Sequence, residues 1–114
     1  MNHLKKITNK PHYVGTAEHE KVQFYIVSQL LELGLETEIQ DQVALNKKWN
    51  AGANTQNILA RIKGTDNGKA LLLLTHYDSQ PHSSLGASDA GSGVVTILEG
   101  LRAYLVNNKQ PKND

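Results

Sequence analysis

The chain has 114 residues, 39% of them apolar, and a formal net charge of +1, which allows one small domain with one core and makes no electrostatic case for nucleic acid or a membrane surface as a partner. Cysteine is absent, which excludes a disulfide framework and cysteine-ligated zinc. The longest unbroken apolar run, Ala70 to Leu74, is too short to span a bilayer, and no apolar stretch of a secretory signal follows the charged start Met1-Asn-His-Leu-Lys-Lys6.

Residues 16–33 carry Val22, Tyr25, Ile26, Leu30 and Leu33 at helical spacing. Thr16 suits the N-cap, Glu18 and Glu20 suit the first turn of the helix dipole, and Gly34 suits the stop. Residues 35–45 alternate, with Leu35, Thr37 and Ile39 on one side and Glu36, Glu38 and Gln40 on the other, the pattern of a half-exposed strand. Residues 46–56 are polar and read as a loop, with Trp49 the one aromatic near clustered lysines. Residues 56–63 read as a second strand that forms a hairpin with the first, and residues 64–68 as a turn. The run Ala70–Thr75 is too short for a typical helix and predicts a strand buried on both faces. Residues 91–106 carry a broad apolar helical face (Val94, Val95, Ile97, Leu98, Leu101, Leu105, Val106), and residues 107–114 are polar. This order of elements predicts an α/β layer architecture, in which ligands bind beyond the carboxyl ends of the strands.

His76-Tyr77-Asp78-Ser79 stands at that edge, and Asp89 follows inside the glycine-rich stretch Gly86–Gly93. If the backbone stays extended, His76 and Asp78 share a face and Tyr77 points away. Asp78 is then placed to fix the tautomer of His76. Asp89 has two oxygens and can bridge two metal ions, a recurring device for hydrolysis. Taken singly, each residue has a plainer role: a histidine near a strand end is more often a surface group, and Ser88 or Asp89 can cap the following helix. Together the pattern favours a metal site. A phosphate loop is disfavoured because Gly86–Gly93 lacks lysine and carries Asp89. A nucleophile elbow lacks its final glycine, leaving a Ser88–His76–Asp78 triad as a weak rival.

The segments Thr75-His-Tyr-Asp-Ser79, Gly86-Ala-Ser-Asp89, Gly91-Ser-Gly-Val94 and Ile97-Leu-Glu99 resemble the co-catalytic zinc exopeptidases, a superfamily that includes aminopeptidases and glutaminyl cyclases. Upstream, Lys10-Pro-His-Tyr-Val-Gly15, His19-Glu20, Tyr25-Ile26 and Leu33-Gly-Leu35 are similar to the start of such a catalytic domain. The resemblance covers nearly the whole chain, is most specific over residues 76–94, and lies nearest the membrane-anchored metallopeptidases of the endoplasmic-reticulum type and their bacterial relatives. It implies a three-layer αβα fold with a mixed sheet, His76 as ligand to one zinc, Asp89 as the bridge between two zincs, and Asp78 as the part of the catalytic machinery that holds His76. Ala90 departs from the Asp or Asn that more often follows the bridging Asp; the peptide joining these two positions is often cis in the family. His12 and Glu99 are expected to make packing and structural contacts, and His82 to be structural or solvent-facing.

The family also takes a glutamate base and further ligands from downstream segments, whereas here the only carboxylates after Asp89 are Glu99 and Asp114, and no histidine follows His82. Residues 1–114 are therefore expected to be the incomplete N-terminal part of a zinc exopeptidase catalytic domain, partial in its sheet. The expected activity of the complete protein is aminopeptidase hydrolysis of peptide substrates with two zinc ions, in a parent that is exported or membrane-anchored. The isolated chain is expected to be inactive, to hold zinc weakly or not at all, and to self-associate through an unpaired sheet edge. The alternatives are a non-catalytic association domain on the same fold and a glutaminyl cyclase.

Overall fold

In the computed structural model, residues 2–66, 68–82, 84–107 and 110–114 are described. Helix α1 (Asn2–Ile7) has only six residues and no acidic first turn, so its sequence carries no periodic signal; tertiary contacts hold it. Ile7 is fully buried, and the His3 imidazole lies 2.7 Å from the Tyr25 hydroxyl and 3.3 Å from a Glu99 carboxylate oxygen. Helix α2 (Ala17–Glu32) begins as its sequence predicts: Thr16 is extended and its hydroxyl accepts the His19 N–H at 3.1 Å. It stops at Gly34, whose φ of 77° suits glycine.

Strands β1 (Glu36–Asn46) and β2 (Ala51–Arg61) form an antiparallel hairpin in which Glu36 faces Arg61 and Asn46 faces Ala51. The expected loop over residues 46–56 is thus mostly strand, and the connection is only residues 47–50. Polar side chains such as Asn54 sit there without cost because the ribbon is exposed from Asp41 to Asn54. The turn expected at 64–68 includes Asn67, which lies outside the described residues.

Helix α3 (Ser92–Leu105) matches its apolar pattern, burying Val94 and Leu98. These join Ile7, Val22, Ile26, Leu30 and Leu35 in one core, with Ile58, Ile62 and Tyr77 packed against it. Residues 110–114 run beside residues 64–71: Thr65 N–H donates to the Pro111 carbonyl, Leu71 N–H to the Asp114 carbonyl, and Arg61 pairs with Asp114.

The α/β class holds, but the Ala70–Thr75 run is not the doubly buried strand expected, and the sheet among the described residues has two strands. Leu71, Leu72, Leu73 and Leu74 are 59–79% exposed. A buried strand needs partners for its backbone and cover on both faces. Here β1 and β2 pair only with each other, and no described element lies over the four leucines.

This division of apolar residues predicts contrasting stabilities. Leu98→Ala should cost about 2–5 kcal/mol by urea unfolding, whereas Leu72→Lys should change stability by no more than about 0.5 kcal/mol. Leu72→Lys should also reduce concentration-dependent association in analytical ultracentrifugation, since an exposed apolar edge invites pairing.

Candidate metal centre

The site is built outward from Tyr77. Its ring stacks on His19 of α2, with centroids 4.6 Å apart and planes 11° from parallel. Its hydroxyl donates to the Gln56 carbonyl at 2.7 Å and accepts from Gln23 Nε2 at 3.1 Å. Gln23 Nε2 also donates to the Gln56 side-chain oxygen at 3.0 Å, joining α2 to β2. Burial pushes the Tyr77 hydroxyl above its ordinary pKa and the His19 imidazole below its own, so both rings stay neutral in this contact.

With Tyr77 fixed inward, His76 and Asp78 share the opposite side, as alternation predicts. The segment is tied again at Ser79, which is buried: its hydroxyl accepts the His12 N–H at 2.8 Å, and its own N–H donates to the His12 carbonyl at 3.2 Å. His12 is fully buried and serves packing as expected. Gly86 (φ 66°) closes over this clamp; a Cβ there would sit 3.0 Å from Ser79 Cβ and 3.2 Å from His12 Cε1.

The turn Ala87–Gly91 then brings Asp89 round to His76. Its helical geometry is interrupted at Asp89 and Ala90, and the peptide between these two residues is cis. At the start of α3, Gly91 makes no side-chain cap, so neither Ser88 nor Asp89 plays the capping role open to them. Instead Asp89 Oδ1 lies 2.7 Å from His76 Nε2, while Asp78 Oδ1 lies 3.0 Å from His76 Nδ1. The three candidate residues are therefore in one chain of contacts. His82 is exposed, and Glu99 is ion-paired with Arg102 at 2.7 Å.

A neutral His76 ring has one N–H for two carboxylates, so one of its nitrogens is left facing an acceptor. With Nδ1–H donating to Asp78, a neutral ring would turn a lone pair toward the Asp89 carboxylate, and two acceptors at 2.7 Å repel. A proton satisfies the pair by forming imidazolium; a cation satisfies it by taking both as ligands. Desolvation pulls the His76 pKa down, but hydrogen bonds to Asp89 and Asp78 and their charges outweigh it, and the value is raised. Zinc fits this donor set: imidazole and carboxylate ligands at about 2.0–2.2 Å and tetrahedral angles lie roughly 3.3 Å apart, so the pair would open by roughly half an ångström. Both side chains are exposed enough to do so. Two donors do not complete a site, and among the described residues no three His, Asp or Glu side chains are arranged to hold a metal. The remaining downstream carboxylates are engaged elsewhere, Glu99 with Arg102 and Asp114 with Arg61.

In the sequence His19 stands out only within the resemblance and Gln23 not at all; that His19 stacks on Tyr77 and Gln23 bonds its hydroxyl becomes visible only in the fold.

The sequence model described as Peptidase family M28 matches residues 57–114, the stretch that holds His76, Asp78 and Asp89. A vacuolar membrane protease of Candida tropicalis is 37% identical over 118 residues, covering 96% of this chain and 13% of that protein. One of Candida dubliniensis is 33% identical, covering 96% and 12%. Among solved structures, a leucine aminopeptidase precursor from Bacteroides thetaiotaomicron superposes with a TM-score of 0.75 at 25% identity, covering 98% of this chain and 42% of that one. A Porphyromonas gingivalis glutaminyl cyclase superposes with a TM-score of 0.74 at 27% identity, covering 90% and 37%. The chain thus spans about an eighth of the length of the curated relatives it matches.

Two outcomes follow from the geometry. In the metal-free chain, the NMR titration of His76 should centre above the ordinary 6.5, and Asp78→Asn or Asp89→Asn should each lower it. The sign for stability is that of a raised histidine: the contribution is complete below the unfolded value and fades as pH rises through the folded one. Tyr77→Phe should lower unfolding free energy by about 1–2 kcal/mol, because the Gln56 carbonyl loses its donor.

Proposed function

The chain belongs to peptidase family M28, within the co-catalytic zinc exopeptidases, and on that premise we propose that it is the N-terminal part of an aminopeptidase catalytic domain that hydrolyses N-terminal peptide bonds. The observation that carries this reading is the 2.7 Å approach of His76 Nε2 to Asp89 Oδ1, a pair that needs a cation or a proton between its atoms. His76 and Asp89 would hold one zinc together, and the second Asp89 oxygen would serve the other ion. Zinc, when bound, would polarise the scissile carbonyl and lower the pKa of the attacking water. Asp78 accepts the Nδ1 proton, which fixes the tautomer that leaves Nε2 for the metal and keeps the ring from turning. The remaining ligands, the glutamate base and the groups that hold the substrate's free amine would come from the rest of the parent protein. Further strands of that parent would cover Leu71–Leu74. The partial coverage of the aminopeptidase precursor supports this division, and the vacuolar membrane proteases among the relatives support a membrane-anchored parent. No helix among the described residues is long and apolar enough to cross a membrane.

The similarity to a glutaminyl cyclase structure keeps a second reading, intramolecular transfer at an N-terminal glutamine on the same metal-binding frame. Assays of the parent protein with an aminoacyl anilide and with a glutaminyl peptide separate the two. We expect anilide hydrolysis, lost together with bound zinc in His76→Ala, and lowered about 10–100-fold in Asp78→Asn. The 114-residue chain alone should retain little zinc after gel filtration and turn over neither substrate. Cyclisation without hydrolysis would favour the second reading, and stoichiometric zinc on the isolated chain would contradict the division of ligands.

A further inference from the structure

The net charge of +1 conceals a local concentration that the hairpin creates. Asn46 pairs with Ala51, which leaves Lys47, Lys48, Trp49 and Asn50 as the turn at the tip. The Asn46 side-chain oxygen accepts the N–H groups of Lys48 (3.1 Å) and Trp49 (3.3 Å), and Asn50 takes a positive φ of 45° that closes the turn. The tip is therefore a built turn, and it fixes where these side chains stand.

Trp49 is 70% exposed, Val43 70% and Leu45 77%. Val43 and Leu45 are two apart on β1 and so share one face of the ribbon. Leu45 lies over Gly52, where a Cβ would meet its Cδ2 at 3.0 Å, so the strand opposite offers a flat floor instead of cover. Lys48 Nζ rests 5.1 Å from the centroid of the Trp49 ring, and Lys47 precedes it. No Asp or Glu occurs between Gln42 and Thr65, so Lys47 and Lys48 are the only charged side chains on the distal ribbon, residues 42–55. Every residue from Asp41 to Asn54 is exposed, and the hairpin meets α2 only nearer its base.

We propose that the hairpin tip, Val43 to Trp49, docks on an anionic lipid surface, with Trp49, Leu45 and Val43 entering the headgroup region and Lys47 and Lys48 meeting lipid phosphates and carboxylates. The chemistry matches the occupant. Tryptophan is favoured at the membrane–water boundary because its ring is apolar and its N–H is wet. Lysines beside it gain from the negative surface potential and can keep their ammonium groups in the headgroup layer. A protein partner of ordinary mixed charge would leave the two lysines without the continuous negative field that a lipid surface supplies. None of the residues in this proposal is a candidate metal-site residue.

The test uses the 114-residue chain, whose single tryptophan reports on the tip directly. Trp49 emission and co-sedimentation are measured with vesicles of phosphatidylcholine, with and without phosphatidylserine. The proposal expects a blue shift and sedimentation with the phosphatidylserine vesicles, both weakening as salt is raised. Lys47→Glu with Lys48→Glu should reduce partitioning roughly tenfold or more, and Trp49→Ala should reduce sedimentation severalfold. All three positions are exposed, so circular dichroism should be unchanged. Absence of binding would overturn the proposal, as would equal binding to neutral vesicles. So would binding indifferent to the lysine reversals, which would place the contact on Leu71–Leu74. A blue shift that grows with protein concentration and needs no lipid would assign the tip to a second copy of the chain and reject the lipid.

Discussion

The contact of Tyr77 with α2 is the constraint on which the site depends. An extended segment can rotate about its axis until something fixes one side chain, and here the stack on His19 and the hydrogen bonds with Gln23 and Gln56 fix Tyr77. Alternation then leaves His76 and Asp78 no choice of side. The Ser79–His12 clamp stops the segment from sliding along its length. Neither device touches the candidate ligands, yet together they set direction and depth for the imidazole. The 70–74 run just before it has no such anchor, and its leucines stand in solvent.

The second half of the site arrives by a different route. Asp89 is delivered by an interrupted turn that packs against α1 and Gly86 and feeds directly into α3. Two short, independently held segments thus meet at a single 2.7 Å contact. A proton on Nε2 or, on the proposed reading, a cation shared by the two side chains balances that contact. The buried His12 and His19, the latter kept neutral by desolvation, serve the opposite purpose: they are wall, not ligand.

Much of this was legible in the sequence, and the reasons are local. The α2 boundaries follow from Thr16 and Gly34, and the His76–Asp78 relation follows from the two-residue period of extended backbone. The resemblance over residues 76–94 pointed to the family that the comparison with residues 57–114 then showed. What could not be read depends on tertiary context. Helix α1 is too short to show periodicity and exists through Ile7 and the His3 contacts with Tyr25 and Glu99. Residues 51–55 are polar and glycine-containing, yet pair as strand because β1 offers a complete ladder. The Ala70–Thr75 run has the composition of a buried strand, but composition supplies no partner for its backbone. The roles of His19 and Gln23 required knowing that α2 lies against Tyr77.

The central claim is that His76 presents Nε2 to a cation alongside Asp89 while Asp78 retains Nδ1. It is tested most directly by following the ring nitrogens of all five histidines by NMR as zinc is added in excess to the chain. The account predicts that His76 Nε2 moves to a metal-bound shift, that its Nδ1 remains protonated, and that His12 and His19 stay where they are. A response centred on His3 or His82, or metal at His76 Nδ1 with Asp78 displaced, would contradict it.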